Sequence, residues 1–325
     1  EIEQAGFEVI VLGYKRQMWK SVSALSHIMR ERQIDIVHAS SYHPSLYARL
    51  AAIIARVPVI LGYEHVIYNN KRMPRVIFNR LLAPFTDGFT AVGEQVANQV
   101  LEWNQYPREK MHVVHNGVDI SRYQPAKLRI DAKEKLGFDP QKIIVGVVSR
   151  LDPEKGHRFL FDAIVKLSPK YDVQWIVVGT GRGADKVYQE ARDRGIEKKV
   201  EFLGLRRDVP ELLAAFDIYV FPTLQEGFPN SLLEAMASGC AVVASDFPGN
   251  LEVAIDQRNA LIVPMRDSKR LTQCIEQLLQ QPELAKHLGE QARHDIVENF
   301  SLQAYAGKMS GLYEQLCEKK GVVRE

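Results

Sequence analysis

The sequence predicts an α/β protein built from two doubly wound parallel sheets. Short β-rich runs alternate with helical stretches along the whole chain, and 325 residues exceed what one ordinary core holds. Runs such as 142–149 and 173–178 are almost wholly apolar. A parallel strand covered by helices on both faces reads in that way, rather than as an alternation of apolar and polar residues.

In the first half the pattern predicts strands over 7–12, 34–39, 58–63, 88–92 and 111–115, with helices over 19–32 and 44–56 among the stretches between them. The rhythm breaks at Asn116-Gly117-Val118-Asp119, and 121–142 is polar and irregular. It resumes with strands over 142–149, 173–178, 200–203, 218–221, 241–244 and 261–263. A last helix is predicted over 302–317, with Ser301 placed to cap it. The expected division is 1–120, 121–300 and a closing segment over 301–325. The chain opens on Glu1-Ile2-Glu3-Gln4-Ala5-Gly6, which reads as a helix end stopped by glycine. A βαβ unit takes about 30 residues, so a strand and most of a helix are expected ahead of position 1.

Composition narrows the function. Net charge is +2, so nothing calls for nucleic acid, and an anion site must come from local placement of charge. Cys240, Cys274 and Cys317 are far apart and odd in number, which fits a reducing, cytoplasmic compartment better than a disulfide framework. The longest apolar run, 50–61, is broken by Arg56 and Pro58 and is too short to span a bilayer. No Asp-x-Asp occurs, so no metal is expected on a diphosphate, and the chain has neither a Walker lysine nor a G-x-S-x-G elbow.

Two constellations carry chemistry. The strand 142–149 runs into Arg150-Leu-Asp-Pro-Glu-Lys155-Gly156-His157, where a helix begins. A helix start favours anions, and a guanidinium fork with an ammonium beside it makes a diphosphate clamp. Taken alone, the pair reads equally well as two solvated loop charges. The second constellation is Glu226-Gly227-Phe228-Pro-Asn230-Ser231-Leu232-Leu-Glu234. Glu226 lies in a loop after a strand, and Glu234 lies in the next helix among apolar neighbours. Asn230 or Ser231 is placed to cap that helix and leave backbone N–H groups for an anion. Carboxylates repel phosphate, so they are expected to hold sugar hydroxyls.

Other signals are weaker. Gly179-Thr-Gly181-Arg-Gly183-Ala184 follows a strand and opens a helix, but its third glycine position holds alanine, so a tight turn is the better reading than a dinucleotide site. His38, His43 and His65 end or follow strands, and His65 leaves its strand toward the expected ligand crevice. The stretch 71–85 is basic and apolar. It reads first as an ordinary docked helix and second as a peripheral membrane contact.

These residues resemble glycosyltransferase family 4, retaining enzymes with two Rossmann-like domains facing across a cleft (the GT-B fold). The likeness lies in the Glu226–Glu234 spacing, the 149–156 loop and His115-Asn-Gly-Val-Asp119 as interdomain linker. It implies that Arg150 and Lys155 bind the donor diphosphate, helped by Asn230, Ser231 and Leu232. Glu226, Gly227 and Phe228 would hold the donor sugar and Glu234 the ribose. Glu226 and His65 would lie beside the reacting carbon. The C-terminal helix would cross back to the first domain. The implied activity is that of a retaining hexosyltransferase. It would use a nucleotide diphosphate sugar and no cofactor, with a sugar or lipid-linked acceptor, in cell-envelope polysaccharide or glycolipid synthesis. Transfer would take a front-face route at the inner face of the membrane. The family begins with a strand and a glycine-rich loop that are missing here, so the chain is expected to bind donor but transfer sugar poorly. A GT-B nucleotide-sugar epimerase and a non-catalytic nucleotide-sugar-binding module share the fold and stay open.

Overall fold

In the computed structural model, which describes residues 3–14, 17–67 and 73–322, the β-rich runs of the first half pair in chain order. The side chains of Tyr42, His43 and Arg75 also lie outside the described set. Strands β1 (Ile36–Ser40), β2 (Val59–Glu64), β3 (Gly88–Ala91) and β4 (Met111–Val113) form one parallel sheet in the order β1-β2-β3-β4. β2 shows why the sheet is apolar on both faces. Ile60 joins Val22, Val37, Ala51 and Ala52 on one side, while Val59 and Leu61 meet Leu312 and Leu316 of the last helix, Leu302–Lys320. These residues belong to a unit made of Glu1–Val114 and Lys308–Glu325.

Two buried polar clusters of this unit are held by side-chain hydrogen bonds. Arg49, 1 % exposed, donates to Thr86 Oγ1 and to Asn79 Oδ1 (3.0 Å) and lies over the Phe89 ring. His38 bridges Tyr313 Oη (2.8 Å) and Thr90 Oγ1 (3.0 Å), a structural role for that histidine.

The strand expected over 7–12 does not form. A strand exists through its ladder, and this segment pairs with no strand among the described residues. Phe7 and Val11 are left 69 % and 85 % exposed, and Glu8 pairs instead with Arg32.

The second unit spans His115–Gly307. Its strands are β5 (Ile143–Val148), β6 (Val173–Val178), β7 (Val200–Gly204), β8 (Ile218–Phe221), β9 (Ala241–Ser245) and β10 (Leu261–Val263). They form a parallel sheet in the order β10-β9-β8-β5-β6-β7. The chain passes from β5 outward to β6 and β7, then returns to the other side of β5 for β8. The strand order therefore reverses between β5 and β8, and the loops leaving their carboxyl ends part there to make a crevice. Trp175, Phe161, Ile164 and Leu160 fill the core beneath.

The stretch read as irregular, 121–142, holds the helix Arg129–Lys135. Its polar sequence hides its anchor. Lys133 is buried, with Nζ 2.8 Å from an Asp217 carboxylate oxygen and donating to Lys142 O. Ser301 meets the capping expectation, since its Oγ accepts from Ala304 N at 3.2 Å.

Candidate functional site

Three loops meet at the strand reversal, and glycines let their backbones touch. A Cβ at Gly179 would lie 1.9 Å from Ser149 O, and one at Gly183 would lie 2.7 Å from Leu151 O. The glycine run after β6 thus serves to pack against the loop after β5. Gly156, with φ +71°, does the same toward the loop after β8, where its Cβ would fall 2.0 Å from Pro222 O. Leu224 N (2.7 Å) and Thr223 Oγ1 (3.3 Å) both donate to Glu154 O.

This stitching brings Lys155 to Glu226. Lys155 Nζ donates to Glu226 Oε1 at 2.7 Å and to Gln225 O at 3.3 Å. Lys155 is only 7 % exposed, so it is not a solvated loop charge. Burial pushes the Glu226 carboxyl above the ordinary carboxylate range, and Lys155 and Arg150 pull it back. Arg150 is placed differently. Its guanidinium is 64 % exposed and bridges Asp152 (2.7 Å) and Glu154 (3.0 Å) of its own loop. Arg150, Asp152, Glu154, Gly181 and Arg182 line an open cavity of about 570 Å³.

Glu234 lies on the helix Asn230–Ala237. Neither Asn230 nor Ser231 caps this helix. Pro229 holds the cap position, with no side chain to accept, and its carbonyl takes the N–H groups of Leu232 (3.0 Å) and Leu233 (3.1 Å). Asn230 Oδ1 accepts from Asn116 instead, and Ser231 bonds the Tyr219 hydroxyl, which donates to Val148 O at the end of β5. The Glu234 carboxyl accepts from the Tyr123 hydroxyl. Burial still raises its pKa above the ordinary value. With Asn116, Asp119 and Tyr123 it lines a second cavity of about 410 Å³, apart from the one at Arg150. Gly117 shapes that cavity's edge, because a Cβ there would lie 2.8 Å from Leu302 Cα.

The Phe228 ring is buried against His115 (centroids 5.0 Å apart), and His115 Nε2 is 2.8 Å from Glu252. Only the backbone of Gly227 and Phe228 is therefore offered to a ligand. His157 is buried with Nε2 3.0 Å from Ser149 Oγ. Burial, helped by Lys155, lowers its pKa to about 4. His65 belongs to the first unit, where it stacks on Tyr63, and its buried Nδ1 has no hydrogen-bond partner among the described residues.

Three partners escaped the sequence reading. Asp152 and Glu154 stand in the very loop that drew notice, where a counter-charge two and four residues from Arg150 was a signal to use. Tyr123 gave none, since it lies in a segment read as irregular.

Lys71 and Arg72 of the basic stretch lie outside the described residues. The helix Met73–Leu82 exposes Met73, Ile77 and Leu81, spaced four residues apart on one face, with Phe78 and Phe85 nearby. No described helix is long and apolar enough to cross a membrane, and among the described residues no three His, Cys, Asp or Glu side chains gather as a metal site.

A family profile described as Glycosyl transferases group 1 matches residues 129–295, and one described as Glycosyltransferase Family 4 matches residues 3–122. The UDP-Gal:alpha-D-GlcNAc-diphosphoundecaprenol alpha-1,3-galactosyltransferase of Escherichia coli is 26 % identical over 312 residues, covering 93 % of this chain and 80 % of that enzyme. The N,N'-diacetylbacillosaminyl-diphospho-undecaprenol alpha-1,3-N-acetylgalactosaminyltransferase of Campylobacter jejuni subsp. jejuni is 25 % identical over 328 residues, covering 94 % and 86 %. Among solved structures, Anabaena Alr3699/HepE in complex with UDP matches with a TM-score of 0.87 at 23 % identity, covering 97 % of this chain and 88 % of that one.

Proposed function

This chain belongs to the glycosyl transferases of group 1 and has the GT-B fold, and we propose that it moves a hexose from a nucleoside diphosphate sugar to a lipid-linked sugar, with retention of anomeric configuration. The buried Lys155–Glu226 pair at the strand reversal carries this reading. Placing two charges where water is scarce is costly, and a buried pair kept in a crevice at a strand reversal is a candidate functional site. An incoming diphosphate gives Lys155 a new anion and frees Glu226 to accept from sugar hydroxyls.

The remaining roles follow the family resemblance. Arg150 joins Lys155 on the diphosphate, with the turn at Asn230, Ser231 and Leu232 beside it. The backbone of Gly227 and Phe228 lies along the sugar. Glu234, oriented by Tyr123, takes the ribose hydroxyls. For His65 the support is the family resemblance and its buried Nδ1, unpartnered among the described residues, and a His65→Ala enzyme that transfers sugar at the normal rate removes it. The polyprenol diphosphate acceptors in the names of the two relatives support a lipid-linked acceptor. The apolar stripe of the helix Met73–Leu82, with its basic flanks, supports docking on the cytoplasmic face of an anionic membrane.

A thermal-shift screen across nucleoside diphosphate sugars, beginning with UDP sugars, tests the donor. Arg150→Ala and Lys155→Ala should each weaken nucleoside diphosphate binding by about 1.5–3 kcal/mol, as for a lost charged hydrogen bond, and leave nucleoside binding nearly unchanged. Equal losses for both ligands remove the diphosphate assignment. NMR of the anomeric proton of the product decides retention.

A further inference from the structure

Arg150 is not waiting for an anion, because it already holds two. Its Nη1 lies 2.7 Å from Asp152 Oδ2 and its Nη2 lies 3.0 Å from Glu154 Oε1, so each carboxylate occupies one nitrogen of the fork. The two acids differ in freedom. Asp152 is largely buried and also accepts from Gly183 N at 3.4 Å, so the loop after β6 fixes it. Glu154 is tied by its backbone carbonyl, which accepts from Leu224 N, while its side chain is half exposed and bonds only Arg150 among the contacts described. A guanidinium presents five N–H donors in a fixed plane, and both terminal nitrogens, the pair a bidentate diphosphate engages, already face a carboxylate.

We propose that Asp152 and Glu154 are a resident counter-anion for Arg150, which the diphosphate of the donor must displace, and that Glu154 is the positioning residue that sets donor and product affinity through this exchange. The inference rests on the assignment of Arg150 to the diphosphate. Binding at this fork is an exchange of one anion for another, so the net gain is smaller than a free guanidinium would give. The same exchange runs backward after transfer. Glu154 re-forms its pair with Arg150 as the nucleoside diphosphate leaves, which favours release. The neighbouring Lys155–Glu226 pair makes a second exchange of the same kind a few residues away, and the field of Arg150 and Glu154 reaches Glu226.

The size of the effect follows from exposure. The Arg150 fork faces solvent, where water and salt screen ion pairs, and such pairs are worth up to about 1 kcal/mol, or fivefold in a binding constant. Glu154→Gln should therefore bind inorganic pyrophosphate and UDP about two- to fivefold more tightly than the unaltered protein at low salt, with uridine affinity unchanged. Glu154→Asp keeps the charge and should fall between the two. The kcat of Glu154→Gln should drop where product release limits turnover, and its KM for donor should fall with it.

Isothermal titration calorimetry of the whole chain with pyrophosphate, UDP and uridine tests this. Arg150→Ala is measured alongside. If Arg150→Ala leaves pyrophosphate and UDP binding unchanged, the diphosphate assignment itself fails. If Arg150→Ala weakens both but Glu154→Gln binds them no more tightly than before, the counter-anion is overturned and the assignment stands. A gain for uridine equal to that for UDP overturns it too, because it shows a general change in the site. Asp152→Asn is the second variant, and it should give a gain of the same sign if its loop keeps its place.

Discussion

His157 lies 2 % exposed beneath the Arg150 loop, and its imidazole stays neutral down to about pH 4 because a buried cation beside Lys155 is unfavourable. The unfolded chain binds that proton near pH 6.5. Between those values the unfolded state carries more protons, so stability falls as pH falls through the window. The gap between 6.5 and about 4 corresponds to roughly 3 kcal/mol. His157→Gln should flatten the dependence of unfolding free energy between pH 6.5 and 4, as read by urea melts, and an unchanged slope would place the titration elsewhere. Glu226 and Glu234 shift the other way, since burial raises both. The carboxylate of Glu226 is therefore lost at higher pH than an ordinary glutamate. The acid limb of kcat should lie above the usual carboxylate range and disappear in Glu226→Gln together with most of the turnover. If Glu234 holds the ribose, Glu234→Ala should instead raise the donor KM, because such contacts persist from ground state to transition state. Steady-state kinetics with the two effects exchanged would overturn this division. The candidate residues were legible only as two constellations taken together, because Arg150 and Lys155 alone read equally well as solvated loop charges. Of their partners, Asp152 and Glu154 stood in the same loop, but Tyr123 was not legible, because it reaches Glu234 through the fold and carries no local pattern.

At the level of elements, the short loops after β5, β6 and β8 are held by backbone contact more than by side chains. Gly156→Ala adds a Cβ 2.0 Å from Pro222 O at a left-handed φ of +71°. It should lower stability by more than roughly 3 kcal/mol and loosen the Lys155–Glu226 pair. Gly137 is the control, with φ +77° and open space around its Cβ, so Gly137→Ala should show only the backbone term of roughly 1–2 kcal/mol. Equal losses in thermal melts would mean that the close approach carries no weight. The helix Met73–Leu82 makes a separate prediction. Ile77→Glu with Leu81→Glu should abolish co-sedimentation with vesicles containing anionic lipid while leaving donor binding intact. Equal sedimentation by the double variant would mean that this face does not meet lipid. Nearly every strand was legible, because a buried parallel strand announces itself as an apolar run. The segment 7–12 is nearly as apolar, yet it pairs with no strand among the described residues. Sequence shows which residues favour a ladder, whereas the ladder itself depends on a neighbour. The helix Arg129–Lys135 erred in the opposite direction, since its anchoring Lys133 counts as polar in any pattern.

For the molecule as a whole, the division of the chain has a consequence in time. The first unit is assembled from both ends of the described chain, 3–114 and 308–322, with the second unit inserted between them. During synthesis the second unit is finished while Leu312 and Leu316, which cover Val59 and Leu61 of β2, are still unmade. The earlier-made sheet must therefore wait, with one apolar face uncovered, while nearly 200 further residues are translated, about ten seconds or more at ordinary elongation rates. The second unit, contiguous over His115–Gly307, should reach protease resistance first, reversing the order in which the two begin to emerge. Pulse-labelled chains arrested near residue 307 should yield a protected fragment from 115–307, whereas 3–114 stays cleavable until 320 is out. Protection of 3–114 in the arrested chain would show that the closing helix is dispensable for the sheet it covers. The interval before Leu312 and Leu316 emerge is then when a chaperone has an exposed strand face to bind.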